Sequence, residues 1–113
     1  MVLNILKIIA AVATLATGAY ALVRPTAVYG FTGLEASGPR GITEIRAVLG
    51  GAFIGLGAAA LILRLPASYM TVGIMYLAIA AVRVVSIFVD KSAVQSNWVS
   101  LAVEVALGVV LVI

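Results

Sequence analysis

The sequence predicts an all-α integral membrane protein, a four-helix bundle whose spans run antiparallel in an up-down order. Hydrophobic residues make up 65% of the 113 residues and charged residues only 10%, against about 45–50% and about 25% in soluble domains. A soluble domain of this length and composition would have too few polar groups to cover its water-exposed surface. The apolar residues also fall into four stretches, each close to the roughly 20 residues that a helix needs to cross a bilayer.

The four predicted spans cover residues 3–23, 45–63, 69–89 and 97–113, and we expect them to form a single domain. Residues 24–43 contain glycines and prolines that indicate a loop. The other two connections are short, which makes consecutive helices antiparallel neighbours. A transmembrane barrel is disfavoured because the apolar stretches do not alternate with polar residues. Four spans place both termini on one side of the membrane, and the basic residues are spread too evenly to indicate which side.

A cleaved signal peptide is the alternative interpretation of the first span, because Ala19 and Ala21 resemble a cleavage site. We favour a retained span. Lys7 is the only early lysine, and the apolar run continues through Val23.

The residue types that the chain lacks exclude several kinds of chemistry. There is no cysteine and no histidine, so disulfides, thiolate metal sites and histidine-dependent catalysis are impossible. The seven cations are scattered along the chain, which gives little support to nucleic-acid binding. We expect no metal, no cofactor and no enzymatic activity.

Small residues recur every four positions in the second span. Gly51 and Gly55 form a GxxxG motif, which lets two helices approach closely in lipid. The first span has a matching set of small residues at Ala10, Thr14 and Gly18. We predict that the Gly51/Gly55 face packs against the first span of the same chain. A homodimer interface is the alternative.

Two charged residues lie well inside the apolar stretches. Arg83 stands seven residues before Asp90, and Glu104 stands seven residues after Asn97. At 1.5 Å per residue, both lie roughly 10 Å below the connection between the third and fourth spans. Antiparallel neighbours place them at the same depth, and charges in hydrocarbon usually pair. We therefore predict a salt bridge between Arg83 and Glu104.

Two further charges, Glu44 and Arg46, begin the second span on the same side of the membrane. They are expected to join the pair in one buried charge cluster without net charge. Tyr76, Asn97 and Ser100 share helix faces with the cluster and are its predicted hydrogen-bond partners.

The predicted cluster has three interpretations. It is a neutral network that fixes the helix register, a site for the head of a lipid-like anionic amphiphile, or part of a proton relay. Two arginines favour the amphiphile among the functional readings, because the guanidinium matches anionic groups. A relay is weaker, because Arg83 beside a glutamate holds that glutamate ionised.

The chain resembles a bacterial family known as domain of unknown function 4345. Three segments carry the resemblance: Gly41-Ile-Thr-Glu-Ile-Arg-Ala-Val-Leu-Gly-Gly51, Arg83-Val-Val-Ser-Ile-Phe-Val-Asp90 and Glu104-Val-Ala-Leu107, with Pro25 and Gly30-Phe-Thr-Gly-Leu34 in the first loop. Phe53 and Ile54 stand where members often have an acidic residue. The resemblance implies a four-helix membrane fold and the same charged residues, and it implies no activity.

The expected function is that of a non-enzymatic accessory or packing subunit, or of a binder of a lipid-like anionic amphiphile at the charge cluster. A small transporter or proton-coupled carrier that uses Glu104 and Arg83 is the alternative. Expected partners are membrane lipids and other membrane subunits, and the expected location is the bacterial cytoplasmic membrane.

Overall fold

The protein is all-α in the computed structural model, which describes residues 1–113. Four helical segments are long and apolar enough to cross a membrane, and they coincide with the four predicted stretches. The largest difference is in the second segment, which begins at Pro39 rather than at residue 45. In chain order the elements are α1 (Val2–Val23), a 3-10 turn (Pro25–Val28), α2 (Tyr29–Thr32), α3 (Pro39–Glu44), a π-helical stretch (Ile45–Ala52), α4 (Phe53–Leu63), α5 (Pro66–Val89) and α6 (Gln95–Val112).

Proline and glycine account for the early start of the second segment. Gly38 has a φ of 137°, a conformation that residues with a side chain rarely adopt. Pro39 follows as the first residue of α3, where a proline lacks only an N–H that has no helical partner. Pro66 begins α5 in the same way.

The second segment changes its hydrogen-bonding pattern along its length. α3, the π-helical stretch and α4 follow one another without a break. A π-helix is wider than an α-helix because each N–H bonds five residues back, and π-helical turns are rare and are often found at functional sites. A periodicity of 3.6 residues does not predict this change.

Two compact units divide the chain. One contains Met1–Ala10 together with Arg64–Ile113, and the other contains Ala11–Leu63. α1 therefore contributes its first residues to one unit and its remainder to the other.

In the first unit, α5 and α6 form a hairpin that closes at two glycines. A Cβ at Gly73 would lie 3.0 Å from the carbonyl oxygen of Gly108 and 2.8 Å from the Cβ of Leu111. A Cβ at Gly108 would lie 2.6 Å from a methyl group of Leu77. The helices can approach this closely only because both positions lack a side chain. The buried apolar residues of this unit are Ala10, Tyr69, Val72, Tyr76, Ala80, Ile87 and Leu111.

In the second unit, α1 crosses the second segment through a different set of glycines. A Cβ at Gly18 would lie 2.6 Å from the backbone nitrogen of Ile54, and one at Gly57 would lie 2.6 Å from that of Leu15. Gly50 faces the same crossing, since a Cβ there would lie 3.3 Å from the carbonyl oxygen of Gly18. The small residues that we expected on the first span are indeed buried, Thr14 fully so.

The prediction that Gly51 and Gly55 pack against the first span is wrong. A Cβ at either position would meet no atom within 4 Å, and Gly50 and Gly57 make the close contacts instead. The two glycines of each pair lie on one face of the helix, because residues four apart and residues seven apart are both separated by nearly whole turns. Spacing alone cannot choose between the two glycine faces.

We expect Gly57→Ala to lower the melting temperature of the protein in dilute detergent. The new methyl group would overlap the backbone of Leu15, and overpacking typically costs about 1–3 kcal/mol. Gly55→Ala is the matched control, because its methyl group meets open space and alanine favours a helix by about 0.5–1 kcal/mol over glycine. Equal melting temperatures for the two variants would contradict the assigned crossing.

Candidate functional site

A salt bridge joins the two charges that lie inside the long helices of the first unit. The Arg83 Nε donates to Glu104 Oε1 at 2.7 Å, and Nη2 donates to Glu104 Oε2 at 2.6 Å. This bidentate arrangement uses both carboxylate oxygens and is the strongest form of an arginine–carboxylate pair. The side chain of Glu104 is 12% exposed and that of Arg83 is 30% exposed. The salt bridge that we predicted from the equal distances of Arg83 and Glu104 to the connection between their helices is therefore present.

An amide extends this salt bridge to the end of the hairpin. Arg83 Nη1 donates to Asn97 Oδ1 at 2.8 Å. The Asn97 Nδ2 in turn donates to the carbonyl oxygen of Ser92 at 3.0 Å and to its hydroxyl at 3.1 Å. The orientation of the Asn97 amide therefore suits both neighbours at once. We call Arg83, Glu104, Asn97 and Ser92 the hairpin network.

The hairpin network is closed and carries no net charge. Arg83 has five N–H donors, of which three bond to Glu104 and Asn97. No buried side-chain nitrogen or oxygen lacks a hydrogen-bond partner. Such an arrangement holds two helices in register, and it leaves the carboxylate of Glu104 occupied.

The other two predicted polar partners have different positions. Tyr76 is buried on α5. Ser100 is partly exposed on α6 and contributes no hydrogen bond to the network. Asn97 is the supporting residue that accepts a hydrogen bond from Arg83.

Glu44 and Arg46 have partners of their own, which corrects the prediction of one inward-facing cluster of four charges. Arg40 Nη1 lies 3.1 Å from Glu44 Oε1, and both side chains are well exposed, at 81% and 49%. Arg46 is also exposed, and its Nε donates to the carbonyl oxygen of Leu22 at 3.1 Å. The physical reason is local: Arg40 stands one helical turn before Glu44, where side chains of opposite charge meet.

Arg46 completes the end of α1. The last four carbonyl groups of an α-helix have no partner within the helix. Leu22 belongs to this last turn, and Arg46 supplies a charged donor to it from the second segment. Its function in this structure is therefore to cap a helix and to attach it to the next one.

Comparison with known proteins gives a family for this chain. The family described as domain of unknown function DUF4345 matches residues 2–113. The chain belongs to the DUF4345 family. No curated protein and no solved structure matches it. The matched residues include every charged side chain of the two sites described above.

Sequence reasoning missed three kinds of residue in this DUF4345 chain. Ser92 receives the Asn97 amide, and only its position in the short connection hinted at it. Arg40 was assigned to a loop, although its spacing of four residues from Glu44 was a usable signal. Gly73 and Gly108 stand on separate helices, so no motif within one helix reveals that they meet.

The chain offers few groups for catalysis. It has neither histidine nor cysteine, and no group of three or more acidic residues lies close enough together to hold a metal ion. The charged residues of the hairpin network, Arg83 and Glu104, neutralise each other. What the hairpin network can do is fix α5 against α6 in surroundings that contain little else that is polar.

We expect Glu104→Gln to destabilise the protein strongly in detergent. Removing one partner of a buried ion pair leaves the other unpaired and typically costs about 3–5 kcal/mol. The double change Arg83→Met with Glu104→Met should cost less than Glu104→Gln alone, because no charge remains unpaired. Glu44→Gln is the control: its pair is exposed and should contribute only about 0–1 kcal/mol. If the double variant is less stable than Glu104→Gln, the ion pair contributes more to stability than the neutralisation of its two charges.

We expect Arg46→Met to reduce stability by about 0.5–1.5 kcal/mol, the net contribution of one hydrogen bond. The measurement is thermal unfolding, combined with hydrogen exchange at the last turn of α1, where protection should fall. Arg24→Met is the matched control, because Arg24 is an exposed arginine at the same helix end whose side chain makes no hydrogen bond in the structure. The capping function is refuted if both variants lose the same protection.

Proposed function

We propose that the protein is a non-enzymatic accessory subunit of the bacterial cytoplasmic membrane, which it crosses four times as an antiparallel up-down bundle. Support for the membrane comes from the four long apolar helices and from the side chains on their surfaces. Large apolar residues are exposed on every long helix, among them Ile9, Ile62, Val82 and Val105. In water each such side chain forgoes roughly 1.5–3 kcal/mol of burial, whereas lipid tails solvate it without penalty. Membrane lipids are thus the first partner.

A single observation supports the subunit function above the others. The second segment has glycines on two faces, and α1 covers only one of them. Gly50 and Gly57 contact α1, whereas Gly51 and Gly55 have nothing within 4 Å of where a Cβ would stand. An uncovered pair of glycines leaves a shallow depression on this face of the helix.

In lipid, such a depression favours contact with another helix. The hydrophobic effect does not drive helices together there, so close van der Waals packing at small residues is the main attraction. The hairpin network supports the same function, because it is satisfied within the chain and presents no free charge. We propose that the Gly51/Gly55 face packs against a transmembrane helix of another subunit or of a second copy.

The other two functions have less support. A binder of an anionic amphiphile at Arg83 would compete with Glu104, which already occupies the Nε–Nη2 edge of the guanidinium, and with Asn97, which accepts from Nη1. A proton-coupled carrier would need Glu104 to release its pair with Arg83 at each cycle. The π-helical stretch at Ile45–Ala52 is the feature that favours a carrier, since interrupted helices are common in transporters.

A photo-crosslinking amino acid at Ile62 tests this proposal in native membranes. Ile62 is 79% exposed and stands seven residues after Gly55, on the same helix face, so the probe leaves both glycines intact. We expect a specific protein adduct from this position. Gly55→Ile in the same chain should abolish the adduct, because a branched side chain keeps a second helix away.

The control position is Val82 on α5, which is 67% exposed and should give lipid adducts only. An adduct at twice the mass of the chain identifies a second copy, and any other discrete mass identifies a different subunit. Adducts that form equally at both positions, or that persist in Gly55→Ile, would refute the proposal. Thermal unfolding of Gly55→Ile in detergent should match that of the parent protein, which separates lost association from lost folding.

A further inference from the structure

A groove in the second unit has no role in the sites described so far. It has a volume of about 250 Å³ and lies between residues 34–37 and the beginning of the second segment. We call it the loop groove. The lining residues include Glu35, Ala36, Gly41, Glu44, Ile45 and Leu49.

Backbone geometry at two glycines forms one wall of the loop groove. Gly33 has a φ of 72° and Gly38 a φ of 137°, so the chain turns at both ends of the segment that they enclose. That segment then runs beside α3, where a Cβ at Gly41 would come within 3.2 Å of Ala36. A larger residue at position 41 would push the wall away from the helix.

A small apolar core supports the floor of the groove. Ala21, Val28 and Ile45 are buried together, and Ala36 and Leu49 pack against them. Three of these residues also line the groove. The wall and floor are therefore part of the packed structure of this unit, and an alkyl chain would find apolar surface there.

The ionisable side chains that line the groove are all acidic. Glu35 and Glu44 are the only ionisable residues that line it. Arg40 pairs with Glu44 from the exposed side, while Glu35 has no ion pair. The groove consequently has an excess of one negative charge beside an apolar floor. It also contains no aromatic ring, the group that proteins use to hold quaternary ammonium ions.

We propose that the loop groove binds the head of a membrane lipid that carries a primary ammonium group. The ammonium donates charge-assisted hydrogen bonds to the carboxylates of Glu35 and Glu44, and the neighbouring methylene groups contact Ile45 and Leu49. A primary ammonium has three N–H donors, whereas a trimethylammonium has none and lacks its aromatic partner here. This inference rests on the proposed membrane function, because that function brings lipid heads to the beginning of the second segment.

The test compares two short-chain lipids on the full-length protein in a neutral maltoside detergent. Dihexanoyl phosphatidylethanolamine and dihexanoyl phosphatidylcholine differ only in the methyl groups on the head nitrogen. Native mass spectrometry should show that the ethanolamine lipid binds about tenfold more tightly, the factor expected for one charge-assisted hydrogen bond. Glu35→Gln with Glu44→Gln should remove this preference, since both carboxylates are then neutral.

Asp90→Asn is the matched control, because it neutralises an acidic residue that ends α5 and lies outside the groove. Equal binding of the two lipids, or a preference that survives in the double variant, would overturn the inference. Tighter binding of dihexanoyl phosphatidylglycerol than of the ethanolamine lipid would also overturn it and would indicate an anionic head instead. The proposed subunit function has a separate readout in the Ile62 adduct, which does not depend on the groove, so the two proposals can fail independently.

Discussion

The bidentate pair between Arg83 and Glu104 is the interaction on which the hairpin of α5 and α6 depends. Only 10% of the residues are charged, so a buried carboxylate has few possible partners, and an unpaired one would be expensive. With the pair at one level and the Gly73–Gly108 contact at another, sliding one helix along the other would break the ion pair and force side chains into the glycine contact. Electrostatics and packing therefore specify the same register.

In the second unit, close backbone packing rather than an ion pair fixes the position of α1 against the second segment. Gly18 and Gly57 let α1 approach the second segment so closely that no Cβ would fit between the two backbones, and such close packing gains dispersion contacts. Arg46 then satisfies a carbonyl group at the end of α1, where the helix itself provides no donor. Its exposed guanidinium shows that a charge placed near the start of an apolar helix can serve the backbone of a neighbour rather than a buried ion pair.

Features that depend on a single helix, or on the distance of a residue from the end of its helix, could be predicted from the sequence. Features that depend on which helix faces meet could not. The four apolar stretches followed from composition and length, and the Arg83–Glu104 pair followed from equal distances to a short connection. The choice between the Gly51/Gly55 and Gly50/Gly57 faces did not, because both spacings complete whole turns. Glu44 was assigned to a cluster with Arg83 and Glu104 because residues 24–43 were predicted to be a loop, and that prediction left its helical neighbour Arg40 out of account.

Function in so apolar a chain is best sought among the groups that the fold leaves unused. The hairpin network satisfies itself, and Arg46 has a partner in the carbonyl group of Leu22, so none of these groups needs a ligand. The Gly51/Gly55 face and the carboxylate of Glu35 remain, and both belong to the second unit. Lipid tails cannot fill a narrow depression as closely as a helix does, and a carboxylate at the edge of an apolar groove attracts a cation from the membrane surface. We therefore propose that partners outside the chain bind to the surface of this unit that remains beside the contacts of Gly50 and Gly57 with α1.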